Sequence, residues 1–218
     1  MMKQLSLSVL AVSMGLLTGC GAAPDDVETT SNGVSVTRGQ DGVVRRTSTG
    51  RDGYLADLAH FRQQLRDLQA SPNPDRELIS GVAGIVAHLE QLKIDRGPGA
   101  PSLSSLQTCG VSGYSLTPTV SLGVYWHSAD AGSGYTEFGP PSPWSKTLYT
   151  YARAQAATGG GGSQTFTNTF SGAGTFSVPN AHAQVGTYGC KRLLAYASIT
   201  ANGCSGFDSL TEDFNDCD

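Results

Sequence analysis

The hydrophobic period of this chain changes once, at a short glycine- and proline-rich segment, and that change constrains the fold more than any other feature. Upstream, residues 53–94 carry apolar side chains at intervals of three and four, the period of an α-helix. Downstream, short runs of alternating apolar and polar residues are separated by turn-forming residues, as in antiparallel strands. The boundary, residues 96–101, reads Arg-Gly-Pro-Gly-Ala-Pro. We therefore predict a mainly β protein in which two antiparallel α-helices precede an antiparallel β-sandwich.

The helical part is assigned to residues 51–96 and divides into two halves. The sequence Ser-Pro-Asn-Pro at residues 71–74 interrupts the period, with Asn73 predicted as the N-cap and Pro74 as the first residue of the second helix. The apolar stripes consist of Leu55, Leu58, Phe61, Leu65 and Leu68, and of Leu78, Val82, Ile85, Leu89 and Leu92. Such a hairpin could pack on the β domain of its own chain or serve as an oligomerisation arm.

The β domain is assigned to residues 107–218, after a linker at residues 97–106. Candidate strands are 120–126, 144–153, 164–170, 174–178, 184–188 and 193–200. Alternation along the first of them places Trp126 in the core, on the same side as Val120.

Three tyrosines of the β domain are the candidate ligand contacts. Tyr125 points away from the predicted core, and Tyr149 and Tyr151 lie on the opposite side of their strand from Leu148. Exposed tyrosines give a large contact area at low entropic cost, so we expect a tyrosine-rich face that binds a partner surface or a sugar.

Four cysteines of the β domain, an even number, are predicted to form two disulfides: Cys109, Cys190, Cys204 and Cys217. Their spacing includes no C-x₂-C pair, so a structural metal site is disfavoured. A strand over residues 191–200 would separate its ends by roughly 33 Å. Bridged cysteines need Cα atoms within about 7 Å, so a Cys190–Cys204 bond is disfavoured. We predict Cys109–Cys190 and Cys204–Cys217.

The N-terminal residues have the order of a secretory signal. Lys3 precedes a mostly apolar run, Leu5–Leu16. A membrane-spanning helix needs about 20 apolar residues, so this run is too short to span comfortably. The sequence Leu-Thr-Gly-Cys at residues 17–20 resembles the lipobox of bacterial lipoproteins. The resemblance implies a signal peptide over residues 1–19, cleavage before Cys20, and a lipid (diacylglycerol, with palmitate-type acyl chains) on the Cys20 thiol.

The same resemblance predicts a location in the cell envelope, with the membrane as a partner through the lipid. No aspartate directly follows Cys20, so the outer membrane is favoured, facing the periplasm or the surface. Residues 20–50 are predicted to be a flexible tether that reaches up to about 100 Å at roughly 3.3–3.6 Å per residue. A hairpin around residues 39–42 could form there, but two strands alone are marginal in water, so we expect disorder or a loosely docked ribbon.

The sequence offers no catalytic, metal-binding or cofactor-binding motif: G-x-S-x-G, S-x-x-K, H-E-x-x-H, EF-hand and P-loop patterns do not occur. The chain has 14 Lys and Arg against 18 Asp and Glu, a balance that does not favour nucleic acid. We therefore expect a binding or structural role, through contact of the β domain with a protein or a glycan. One alternative is a hydrolase that uses His127 or His182 beside a carboxylate or serine. Another is a Ca²⁺-stabilised module that uses the acidic residues of 208–218.

Overall fold

The structure, a computed structural model, describes residues 26–30, 33–72, 74–92, 105–156, 160–204 and 206–217. It confirms the predicted fold class: the protein is mainly β, and two helices precede most of its antiparallel strands. In chain order the elements are β1 (Asp26–Thr30), β2 (Val34–Arg38), β3 (Val44–Thr49), α1 (Gly50–Ala70), α2 (Arg76–Gln91), α3 (Ser105–Thr108), β4 (Gly113–Leu116), β5 (Thr119–Leu122), β6 (Trp126–Ala131), β7 (Ser133–Glu137), β8 (Lys146–Ala156), β9 (Gly161–Phe170), β10 (Gly174–Ser177), β11 (Ala181–Gly186), β12 (Lys191–Ala201) and β13 (Phe207–Asn215).

Three layers make up the fold. The middle layer is a seven-stranded antiparallel sheet with the order β1-β2-β3-β13-β12-β8-β9, called here the main sheet. Helices α1 and α2 cover one face of the main sheet. Two three-stranded sheets, β10-β7-β4 and β11-β6-β5, cover the other face, so that the β part is sandwich-like.

The two central strands β8 and β12 are buried on both faces along nearly their whole length. On β8, Ala152 and Ala154 face the sheet β11-β6-β5, whereas Tyr149 and Tyr151 face the helices. The prediction that Tyr149 and Tyr151 are exposed is therefore wrong. Alternation along a strand separates its two faces, but it does not show that either face meets solvent when a further layer covers the sheet.

The main sheet begins well before residue 51, where the tether was predicted to end. Strands β2 and β3 form a hairpin, as the valines on either side of residues 39–42 suggested, and β1 pairs with β2. The hairpin is not a loose ribbon, because β3 pairs with β13 in the middle of the main sheet. Most of the segment predicted as a tether thus belongs to the fold.

The acidic C-terminal segment is also a strand, β13, which lies between β3 and β12. Its carboxylates are distributed rather than clustered. Asp208 is buried, and burial raises its pKa to about 6 against the opposing hydrogen bond from Tyr114. Glu212 accepts hydrogen bonds from Arg45 (2.8 Å) and from the backbone N–H of Val120 (2.7 Å).

The disulfides are Cys109–Cys204 and Cys190–Cys217, with Cα–Cα distances of 6.1 and 4.8 Å. The prediction that Cys190–Cys204 is disfavoured is confirmed, but both predicted pairings are wrong. Since β12 and β13 form an antiparallel pair, Cys190 before β12 and Cys217 after β13 meet at one end of the main sheet. Cys204 lies in the turn at the opposite end and bonds to Cys109.

The helical hairpin packs on the β domain of its own chain, which is the first of the two alternatives predicted for it. The antiparallel pairing of α1 and α2 is marked by a hydrogen bond from Tyr54 Oη to the carbonyl oxygen of Leu89 (3.0 Å). Helix α2 begins two residues later than predicted: Asp75, not Asn73, is the N-cap, and its side chain accepts hydrogen bonds from the N–H groups of Glu77 and Leu78. No helix in the described part of the chain is long and apolar enough to cross a membrane.

A buried carboxylate connects α1 to the main sheet. Asp57 is fully buried and accepts hydrogen bonds from Ser48 Oγ on β3 (2.5 Å), from Ser209 Oγ on β13 and from Arg46 Nε (2.9 Å). A buried charge is tolerated only when it is paired and hydrogen-bonded, and Asp57 meets both conditions.

Substitution of the two glycines in α2 should have opposite effects. A Cβ at Gly81 would lie 1.9 Å from Tyr151 Oη, whereas a Cβ at Gly84 would lie 3.5 Å from Tyr149 Oη. We expect Gly81→Ala to destabilise the fold by about 1–3 kcal/mol through overpacking. Gly84→Ala should instead stabilise it by up to about 1 kcal/mol through helix propensity. Urea unfolding measures both free energies, and equal midpoints for the two variants would contradict this packing of α2.

Candidate functional site

The sheet β11-β6-β5 has one face toward the main sheet and one toward water. The inward residues are small or aliphatic: Val120, Ala129, Ala131, Ala181, Ala183 and Val185. The outward residues, called here the solvent face, are Thr119, Ser121, Trp126, Ser128, Asp130, His182 and Gln184. In the register His182 lies opposite Asp130, Gln184 opposite Ser128, and Gly186 opposite Trp126. One exposed aromatic ring therefore shares a flat surface with a row of hydrogen-bonding groups.

A tight turn places Trp126 on the solvent face. The N–H of Gly123 donates to the carbonyl oxygen of Trp126 (3.1 Å), and a Cβ at Gly123 would lie 2.6 Å from that oxygen, so only glycine fits. The chain reverses direction at residues 123–125 instead of continuing as one strand. The prediction that Trp126 lies in the core is therefore wrong: its side chain is 60% exposed. Tyr125, predicted to be exposed, is 80% exposed and lies in the turn beside it.

Asp130 and His182 form a fixed pair at the other end of the solvent face. His182 Nδ1 lies 2.6 Å from Asp130 Oδ1, and Ser128 Oγ donates to Asp130 Oδ2 (3.1 Å). The hydrogen bond to Asp130 raises the pKa of His182 above its ordinary value, against a smaller lowering by desolvation. The backbone N–H of His182 also donates to Gln164 Oε1 on β9 (3.0 Å). The pair with Asp130 orients the imidazole and leaves its Nε2 edge directed away from the carboxylate.

Ser128, Asp130 and His182 do not have the geometry of a hydrolytic triad. In a triad the serine hydroxyl bonds to the histidine, which removes its proton. Here Ser128 bonds to the carboxylate, and its cross-strand neighbour is Gln184, not His182. His127, the other histidine considered for hydrolysis, lies on the inward side of β6. Its Nδ1 is buried without a hydrogen-bond partner in the described part of the chain, and desolvation lowers its pKa.

Three of the cavities that are lined by described residues lie on the helix side of the main sheet. Two of them, of about 420 and 770 Å³, adjoin at Ser71 and Arg192. Arg153 lines the smaller of the two, but its guanidinium is already held by Asp75 (2.8 Å) and Glu77 (2.6 Å). The charge of Arg153 is therefore already paired with carboxylates at the N-terminal end of α2.

The third cavity, of about 290 Å³, lies between α2 and β9. Its lining includes Tyr149 and Tyr151, so these predicted ligand contacts lie away from Tyr125, on the other face of the main sheet. Tyr125 therefore lies on one side of the main sheet, and Tyr149 and Tyr151 lie on the other.

Only one group of potential metal ligands comes together among the described residues: Cys190, Asp216 and Cys217. The two cysteines form a disulfide, so their sulfurs are not thiolate ligands. The β13 carboxylates that carried the calcium alternative do not converge: Asp208 and Glu212 share one face of the strand but have separate partners, and Asp213 lines the cavity on the helix side.

Sequence reasoning missed most of the solvent face. His182 was considered only as a possible base, and Gln184 was not considered. The alternation Ala-His-Ala-Gln-Val over residues 181–185 was a readable signal of a strand with one polar face. The pairing of that strand with β6 depends on a contact between residues about fifty positions apart, which alternation alone does not encode.

Comparison with known proteins gives no match: no family model, curated protein or solved structure is detectably similar to this chain.

The Asp130–His182 contact predicts a measurable pKa difference. Replacement of Asp130 by Asn removes the negative charge that stabilises the imidazolium and leaves only a neutral amide oxygen as acceptor, so the pKa of His182 should fall toward or below its ordinary value. NMR titration of the histidine ring protons measures this pKa. His60, in α1, provides an internal control whose titration should not change, and an unchanged His182 pKa would contradict the contact.

Proposed function

We propose that this protein is a lipid-anchored binding protein of the bacterial cell envelope, and that its solvent face binds an extended glycan. The observation that carries the proposal is the exposed ring of Trp126 on the same flat sheet surface as the Asp130–His182 pair.

Trp126 supplies the stacking surface. Pyranose rings have an apolar face of C–H groups, and an aromatic ring that is both flat and exposed can stack on it. Exposed apolar groups that cluster mark interaction sites.

The polar row supplies the hydrogen bonds. Sugar hydroxyls both donate and accept, and the solvent face offers an amide on Gln184, a hydroxyl on Ser121 and an imidazole edge on His182. The Asp130 carboxylate holds that imidazole in place before a ligand binds, which lowers the entropic cost of recognition.

The length of the row indicates an oligosaccharide and not a single sugar. Trp126 and Asp130 are four residues apart on β6, which corresponds to about 13 Å along the strand. A single ring does not span that distance. Affinity should therefore rise with chain length until both ends of the solvent face are in contact.

A saccharide ladder tests this proposal. With chito-oligosaccharides of one to six units, titration calorimetry should show affinity that increases with length. We expect Trp126→Ala to lower the affinity for the hexamer at least about tenfold, because removal of an aromatic residue that anchors a ligand costs on the order of 2 kcal/mol.

Phe138→Ala is the matched control, since Phe138 is another exposed aromatic ring, which follows β7 on the other small sheet. It should leave the affinity unchanged. A lack of affinity for every length, or equal losses in the two variants, would contradict glycan binding and favour a protein partner for the solvent face.

The anchor is tested separately at Cys20. Cys20→Ser removes the thiol that the lipobox resemblance assigns to lipidation, so the variant should be recovered as a soluble or uncleaved protein. Cell fractionation and intact mass measure retention and acylation. A processed variant that stays fully in the membrane fraction would show that another feature holds the protein there.

A further inference from the structure

Three of the most exposed large apolar side chains of the protein lie at one end of the sheet β11-β6-β5. Val124 (83% exposed) and Tyr125 (80%) occupy the β5–β6 turn, and Tyr188 (86%) follows β11. These three residues are called here the aromatic tip. The two segments that carry it, Leu122–Trp126 and Gly186–Gly189, include no charged residue.

The aromatic tip lies at the same end of the molecule as the Cys190–Cys217 disulfide. Tyr188 is two residues before Cys190, and β12 begins at Lys191. His127, next to the β5–β6 turn, has a pKa lowered by burial and by the charge of Lys191, which agrees with this placement.

The chain enters the fold at this same end. A single register row crosses the main sheet from Asp26 through Arg38, Val44 and Asp213 to Leu194. Leu194 lies near the start of β12, at the Cys190–Cys217 end. Since β1 runs from Asp26 away from that end, the residues that precede Asp26 join the fold on the side of the aromatic tip.

The distance from the lipid anchor is short. Only six positions separate Cys20 from Asp26, which gives a maximum reach of about 20 Å at roughly 3.3–3.6 Å per residue. A tether over residues 20–50 would have allowed the domain to turn freely. Strands β1 to β3 remove that freedom, because the segment after Asp26 is part of the main sheet.

From this placement we propose that the aromatic tip rests in the headgroup layer of the bilayer that holds the Cys20 lipid, and so orients the domain on the membrane. The proposal rests on the lipid anchor of the proposed function. Tyrosine and tryptophan are enriched at membrane–water interfaces because one part of each ring system is apolar and another part forms hydrogen bonds. An uncharged tip inserts without desolvation of a charge, so its contact needs no anionic lipid and is insensitive to salt.

This orientation has a consequence for the solvent face. Trp126 lies beside the tip, and β6 leads from it to Asp130 at the opposite end of the solvent face. The row of sugar-binding groups then rises from the membrane surface, and a glycan bound along it is held close to the bilayer.

The two tryptophans of the chain allow a direct test. Trp144 lies against Gly203, next to the turn that holds Cys204, and therefore at the far end of the main sheet. Acylated Trp144→Phe protein, in which Trp126 is the sole tryptophan, is reconstituted in phosphatidylcholine vesicles with or without lipid brominated near the headgroup. We expect brominated lipid to remove about half of the Trp126 emission or more. Acylated Trp126→Phe protein, which reports Trp144, should lose almost none.

A second variant separates the tip from the anchor. Val124→Ser, Tyr125→Ser and Tyr188→Ser together should reduce the quenching of Trp126 while the protein stays on the vesicles, whereas Phe138→Ser should not. Equal quenching of Trp126 and Trp144 would overturn the proposal. Loss of chito-oligosaccharide affinity in the tip variant without a change in quenching would also overturn it, because the tip would then belong to the glycan site. Failure of acylation itself is seen by intact mass and would instead refute the anchor.

Discussion

Strands β8 and β12 pair along eleven residues, and both are covered on both faces. On one face Ala152, Ala154 and Ala195 present a shallow surface, so the sheet β11-β6-β5 can approach closely. On the other face Tyr151 and Tyr196 fill the space beneath the helices. Each outer layer contacts this core only through its inner face. The outward surfaces of the helices and of the small sheets are consequently the surfaces left for recognition, and the site proposed for glycans is one of them.

Charged groups set how the helices sit on this sheet. Asp57 joins α1 to β3 and β13, and Arg153 of β8 joins the sheet to Asp75 at the start of α2. Buried charges are weak contributors to net stability, but an unpaired one is strongly unfavourable, so each pair excludes arrangements that would separate its members. His88 adds a neutral contact: its ring stacks on Tyr149 at 4.3 Å, and burial lowers its pKa to about 4. The helical hairpin is therefore fixed in one position by polar as well as apolar contacts.

Local sequence patterns predicted the helices and strands better than they predicted which of these elements lie next to each other. The helix pair and strands β8 to β12 follow from the hydrophobic period, and strand length correctly disfavours the Cys190–Cys204 bond. The acidic tail was missed as a strand because its charges hid the apolar residues Phe207 and Leu210, and that omission also produced the wrong disulfides. Once β13 is known, the strand-length reasoning that excluded Cys190–Cys204 excludes Cys204–Cys217 as well. The exposure of a given side chain depends on how many layers cover the sheet, and no local sequence pattern predicts that number.

For the candidate site, too, local patterns indicate the strands but not how the strands pair. Alternation along β6 and β11 could have identified two polar faces, but only the register brings His182 opposite Asp130. The proposed position of the site relative to a membrane depends on a still less local fact, the pairing of β1 with β2 at the edge of the main sheet. Without that pairing, the proposed lipid at Cys20 would determine only the location of the protein. With three N-terminal strands in the sheet, the proposed lipid would also determine which end of the molecule is close to the bilayer and in which direction the solvent face extends.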